Sequence, residues 1–354
     1  MSEPRQPAPP GSLLASWTLF TCFTFYVTFV QYALLGHARA ELGLHENDLA
    51  FGFALLALCG IAGSLFAGWW IDRRRTSPPR LMRATAVLSA LLIVCAWAAM
   101  RVGGRLALIV LFAPLGVLLG VTIVVLLYQF LILTPRNLRG VFAGLIAGLV
   151  YLTANIQACY AGSPQAIGLV DLALLLSNVL LIYRYARLVP NVAAVALGIE
   201  TTRARMLRSL WPLALIVLAD TALFVHVSRA TGVQAVFSGR GDWLTNGICH
   251  FVFAVAAGLI YRRWGWRRIT ALAGYVLALT IVLFLFQQLG HAIFAAGIIV
   301  LYSLTVGAYT VALFTVFGEE TPREKPASGV ALGMVLIGWI ASPAGLTLGA
   351  ALLR

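Results

Sequence analysis

Charge is scarce in this chain. Only 10% of its 354 residues are charged, Asp and Glu together number 12, and lysine occurs once, as Lys325. A soluble domain carries about 25% charged residues, so a water-solvated globular fold is excluded. Cysteine is also sparse. Cys22, Cys59, Cys95, Cys159 and Cys249 each stand alone in an apolar run with no CxxC pair, which argues against a disulfide framework or a cysteine zinc site. Cys249 and His250 are adjacent, and neighbours on a helix point about 100° apart, so they make no metal site by themselves. There is no Walker motif, no HExxH and no Gly-x-Ser-x-Gly. ATP hydrolysis and membrane proteolysis are therefore unsupported, and neither an enzyme nor a cofactor is expected.

Apolar sequence is what the chain has in excess, at 61% hydrophobic residues. A membrane-spanning helix needs about 17–25 mostly apolar residues. Eleven segments meet that rule, near 13–36, 48–71, 82–100, 106–133, 140–162, 166–186, 209–228, 243–261, 269–289, 292–317 and 328–352. The fold class expected is all-α integral membrane, with the lipid bilayer as solvent. The net charge of +13 sits in short turns between these segments and forms no basic face, so nucleic acid is not an expected partner. The arginine-rich turns, at 72–83, 134–139, 187–208 and 262–268, fall on one side of the membrane if every segment spans. By the positive-inside rule that side is cytoplasmic, together with the N-terminus. Residues 1–12 read as a disordered tail, 13–186 and 209–354 as two transmembrane bundles, and 187–208 as a linker. The preference for arginine over lysine points to a GC-rich bacterial genome, and hence to a bacterial inner membrane.

The two bundles repeat each other. Gly68 matches Gly258, Ala33-Leu34-Leu35 with His37 matches Ala222-Leu223-Phe224 with His226, Gly43 matches Gly232, and Thr134-Pro135-Arg136 matches Thr321-Pro322-Arg323, all at offsets of 187 to 190 positions. Gly140-x-x-x-Gly144 matches Gly329-x-x-x-Gly333 in the same order. Matched features in sequence order at one offset indicate a parallel duplication of about six helices.

The turn after the second segment reads Gly68-Trp69-Trp70-Ile71-Asp72-Arg73-Arg74-Arg75, and the turn after the eighth reads Gly258-Leu259-Ile260-Tyr261-Arg262-Arg263-Trp264-Gly265-Trp266-Arg267-Arg268. At these residues the chain resembles the major facilitator superfamily, whose loop motif runs roughly Gly-x-x-x-Asp-Arg-x-Gly-Arg-Arg/Lys. Gly68, Asp72 and Arg73 match. Arg75 replaces the motif's second glycine. The second copy keeps Gly258, Arg263, Gly265 and Arg267 but has Arg262 in place of the acid. The resemblance implies two pseudo-symmetric bundles that rock about a central cavity lined by segments one, four, seven and ten. It also implies a twelfth helix, whereas this chain stops at Arg354 after the eleventh segment.

Polar residues inside apolar segments are costly and therefore candidates for function. Asp220 in segment seven is the foremost, as a proton-coupling or cation-binding carboxylate; pairing with an arginine or a hydroxyl is an equal reading. Its repeat equivalent is Gln31, and the two are expected to face each other across the pseudo-two-fold axis. Asn246 and His250 lie one helical turn apart on segment eight and share a face. Tyr128, Gln129, Asn155, Gln157, Tyr302 and Tyr309 are further candidates to line a cavity, with ordinary bonding between helices as the competing role. His37 and His226 are expected at solvated helix ends. Asp72 is expected to act as a gate by pairing with Arg136, Arg139 or the start of a neighbouring helix, with Glu319, Glu320 and Glu324 in the matching role.

The expected function is secondary active transport of a small solute by alternating access. Proton coupling and efflux are favoured, and the chain is expected to act as a monomer. The alternative is a non-transporting membrane scaffold or assembly factor. A transition-metal carrier is a weaker third, because the histidines are dispersed and no metal ligand set is visible in the sequence.

Overall fold

The computed structural model describes residues 10–160, 163–189, 197–229, 240–288 and 295–352. Residues 1–9 of the expected tail, residues 190–196 of the expected linker and Gly232 of the repeat lie outside them. No strand occurs among the described residues. This suits a chain in lipid, where every backbone group must be satisfied within its own segment.

The helices are α1 (Pro10–Ala40), α2 (Glu46–Arg74), α3 (Pro78–Arg101), α4 (Arg105–Leu133), α5 (Arg136–Tyr160), α6 (Pro164–Tyr185) and α7 (Arg203–Arg229), followed by Arg240–Gln288, α10 (Ala295–Glu320) and α11 (Pro326–Ala351). Arg240–Gln288 contains 49 residues, and a straight helix of that length would reach about 74 Å, more than twice the hydrocarbon core. It is broken at Gly265, whose φ of 69° and ψ of 171° are not helical. We label the two parts α8 (240–264) and α9 (266–288). Among the described residues ten helices are long and apolar enough to cross a membrane, one of them containing both α8 and α9. The eleven expected segments are therefore all present.

Local sequence sets the helix starts. Proline occupies the first turn of α3, α6 and α11, where its missing N–H costs nothing. Ser163 accepts a hydrogen bond from the Ala166 amide at the start of α6. Several boundaries differ from the sequence reading. α1 begins at Pro10, so residues 10–12 belong to the helix and not to a tail, and Gly11 and Ser12 are buried. α7 begins at Arg203, so the last six residues of the expected linker are helical. The turn expected at 262–268 contracts to Gly265 alone. Its arginines ride on the adjoining ends of α8 and α9.

Glycines let the helices approach at the backbone. α2 packs on α4 through Gly60, Gly63, Gly116 and Gly120, and α7 packs on α11 through Gly345 and Gly349. Between the two halves, α5 meets α8 and α2 meets α11. The apolar windows of α1 and α10 are 72% and 67% buried, against 33% for α2 and α6. α1 and α10 thus form the centre, and α2 and α6 present broad faces to lipid.

A polar cluster and a clasp between the halves

Asp220 lies in α7 with 2% of its surface exposed. Tyr309 of α10 donates a hydrogen bond of 2.9 Å to Asp220 Oδ2. Oδ1 is buried and has no hydrogen-bond partner among the described residues. One heptad before Tyr309, Tyr302 meets the His250 ring edge to face at 6.2 Å. His250 in turn stacks on Tyr151 of α5 at 5.0 Å, and its Nδ1 is buried without a hydrogen-bond partner among the described residues. The Tyr151 hydroxyl lies 3.3 Å from Thr310 Oγ1. Asn246 of α8 donates to Asn155 Oδ1 at 2.9 Å and accepts from Ser303 of α10 at 3.2 Å. Asn155 uses its own amide on the Tyr151 carbonyl. The structure thus gathers Asp220, Asn246, His250, Asn155, Tyr302 and Tyr309 along the packed faces of α5, α7, α8 and α10. Tyr151, Ser303 and Thr310 complete the cluster, and none of the three is visible as a partner without knowing which helices touch.

Gln31 does not join it. It is exposed, and the carboxylate it was expected to face is held by Tyr309. The physical reason lies in the backbone. Residues Tyr26–Leu34 of α1 form a π-helix, which advances less per residue than the ~100° of an α-helix. The equivalent stretch of α7 is ordinary α-helix, so equal positions in the repeat point in different directions. Gln129 is fully buried and accepts from Thr85 of α3 at 3.0 Å, a bond internal to the first half. Tyr128 is buried with 7% exposure and stands apart from the cluster. His37, expected at a solvated end, is buried, and neither ring nitrogen has a partner among the described residues.

The second constellation lies at the arginine-rich end. Asp72 Oδ1 accepts from the Ala327 amide at 3.0 Å, and Oδ2 accepts from the Ser328 amide at 2.8 Å. These are two of the free donors at the start of α11, where a carboxylate is favoured by both hydrogen bonding and the helix dipole. Of the partners expected for Asp72, it is the neighbouring helix that is found. Gly68, one turn before, lets α2 sit against α11; a Cβ there would stand 2.7 Å from that of Ala331. Gly258 does the same between α8 and α5, where an added Cβ would lie 3.0 Å from Gly144 Cα. Arg73 and Arg263 are exposed, and the Arg73 guanidinium sits over the Trp69 ring at 5.2 Å. Arg267 bonds Glu320 at 3.0 Å, and Glu320 also accepts from Ser209 of α7. Tyr261 donates to Glu319. Arg139 is a residue of larger consequence than its place in a turn suggested. It is 3% exposed and caps the end of α4 through the carbonyls of Leu131 and Thr134.

Sequence reasoning passed over Asp171 of α6. It is fully buried and bonded to Thr28 and Gln157. The signal was the same as for Asp220, an acid inside an apolar run.

No protein-family model and no curated protein sequence matches the chain. Solved structures do match. A crystal structure of a bacterial homologue of the iron transporter ferroportin in an outward-facing state superposes with a TM-score of 0.63 at 16% identity, covering 99% of this chain and 93% of the other. A second crystal structure, of such a homologue in the outward-facing state with soaked iron, gives 0.62 at 14% identity over 97% and 92%. At this identity the likeness establishes the fold. It is the major-facilitator fold that the loop motifs implied.

Proposed function

We propose that this chain is a secondary active transporter that carries a small solute by alternating access between its two halves, coupled to protons and working in the direction of efflux. The observation that carries the reading is Asp220. A carboxyl group buried among apolar helices costs about 2.5–3.5 kcal/mol on insertion scales, and here one oxygen accepts from Tyr309 while the other has no hydrogen-bond partner among the described residues. A structural acid would be expected to satisfy both oxygens. The cluster around it is aromatic and amide-rich, contains few fixed charges and bridges the two halves. That is the arrangement a carrier needs if solute and proton are to bias the same movement. The likeness to transporter structures supports the reading, as does the loop motif around Asp72. We place the chain in a bacterial inner membrane, with the arginine-rich end in the cytoplasm.

The test is proton flux into proteoliposomes with a pH-sensitive dye inside, for wild type and Asp220→Asn. The panel would hold lipophilic cations, organic acids, sugars and amino acids. Solute-dependent flux that is lost in the variant is expected. Equal flux in both would remove Asp220 from the coupling path. Absence of flux from folded protein with every solute would favour a scaffold.

A divalent transition-metal ion is the second reading for the solute. Its support is the iron-transporter neighbours together with the unpartnered Asp220 Oδ1 and His250 Nδ1. It ranks second because no group of three His, Cys, Asp or Glu residues is placed to hold a metal among the described residues. Quenching of an internal chelating dye by ferrous or cobalt ions, abolished in His250→Ala, would reverse the order.

A further inference from the structure

Asp171 sits in the first half, about 10 Å along α6 from Pro164, and no surface of it is exposed. Its partners come from two other helices. Gln157 of α5 donates to Oδ1 at 3.2 Å. Thr28 of α1 brings its hydroxyl within 2.6 Å of Oδ1 and 2.7 Å of Oδ2. The same hydroxyl lies 2.7 Å from the Thr24 carbonyl. Three acceptor oxygens therefore surround one threonine oxygen, and a hydroxyl has one proton to give.

Counting hydrogens decides between two states. With an ionised carboxylate, the threonine proton would be shared among three acceptors and a buried negative charge would have no cation beside it. With a neutral carboxylic acid, Asp171 donates to Thr28, Thr28 donates to Thr24, and each proton has one place. A buried carboxyl without a counter-charge is expected to take the second form. No cationic side chain is hydrogen-bonded to Asp171 among the described residues. The titratable side chains on the helices around it include Cys22, Tyr26, Tyr32 and His37 of α1, Cys95 of α3 and Tyr151 of α5. None of them hydrogen-bonds or ion-pairs with Asp171. Arg101, at the end of α3, is exposed and lies over Trp97. Thr28 belongs to the π-helical stretch of α1, a form of helix common at functional sites.

We propose that Asp171, with Thr28 and Gln157, is a second proton-binding site, one that gives up and regains a proton during the transport cycle. The inference rests on the reading of the chain as a proton-coupled carrier and extends it to one carboxyl group in each half. Loss of the proton leaves Thr28 facing two new demands for its single hydrogen, so α1 must shift or admit a cation. The proton thereby acts on the central helix of the first half, as Asp220 acts through Tyr309 on the central helix of the second.

Infrared difference spectra of the full chain in lipid, taken between acid and alkaline buffer, test this without any solute. Wild type should show the carbonyl band of a buried carboxylic acid at neutral pH that disappears on alkalinisation. Asp171→Asn should lose one component of the band, which Asp220→Asn should keep, because Asp220 contributes its own. Thr28→Val, which leaves the acid in place, should shift the band because its acceptor is gone. An Asp171→Asn spectrum identical to wild type would overturn the proposal, as would a band that persists at every pH or one unmoved by Thr28→Val. Proton flux in vesicles without a titrating Asp171 band would sink this site alone. A titrating band in a chain that moves no protons would leave the site and sink the transporter reading.

Discussion

The turn after α2 and the turn after α8 occupy matching places in the sequence repeat and hold the halves together by different means. At the first, Asp72 caps the start of α11 with two charge-assisted bonds. At the second, the equivalent position is Arg262, which is exposed, and the contact is made by backbone. Gly258 lies against Gly140 and Gly144 of α5. The left-handed turn has diverged as well. Gly265 keeps the residue type that its φ of 69° requires, while its counterpart Arg75 adopts φ 45° and ψ 52° with a side chain. The two turns share a positive φ at matching positions and little else: ψ is 52° at Arg75 and 171° at Gly265. Both contacts need a glycine, Gly68 in one and Gly258 in the other, and the first adds a charge.

Four substitutions break or sharpen this contrast. Gly258→Leu should have the largest effect, because its Cβ alone would meet Gly144 Cα and the Gly140 carbonyl. Overpacking of backbone against backbone is expected to cost about 3 kcal/mol or to prevent folding, read as loss of the monodisperse peak and of the thermal transition in detergent. Gly265→Ala meets no neighbour within 4 Å, so its cost is the backbone conformation alone, about 2 kcal/mol, seen as a lower midpoint with an unchanged elution profile. Asp72→Asn removes the charge from two helix-capping bonds and should weaken the α2–α11 contact by about 1–2 kcal/mol. The check is the alkylation rate of a cysteine placed at Ser328 in a cysteine-free background, which should rise several-fold. Arg75→Gly should stabilise the chain by about 0.5 kcal/mol, the relief of a left-handed residue set against the greater freedom of glycine in the unfolded state. A fall in thermal midpoint would show that the Arg75 side chain contributes more than its backbone costs.

Much of the fold was legible because lipid imposes length and apolarity on every span, and the repeat supplied the division into halves. Asp220 was legible for the same reason, as a charge where hydrocarbon was expected. What failed depended on helix rotation. Gln31 was placed opposite Asp220 by counting residues, and a π-helical stretch changes the angle per residue without leaving a mark in the sequence. The bond from Asn246 to Asn155 required knowing that α5 and α8 touch, which no single-helix pattern contains. Asp171 carries the same signal and was passed over; that α1 and α5 cover it is visible only in the packing.

The glycine contact between α5 and α8 also bears on how this sequence can vary. Where two backbones meet with no side chains between them, selection acts on volume and is nearly blind to polarity. Randomising positions 144 and 258 together should return glycine and little else, since a Cβ at either would meet backbone oxygen at 2.5 Å or less. Position 72, by contrast, should be replaceable only by a residue that can accept two hydrogen bonds. The two contacts would thus leave different signatures in a collection of functional variants, one a ceiling on size and the other a demand for an acceptor.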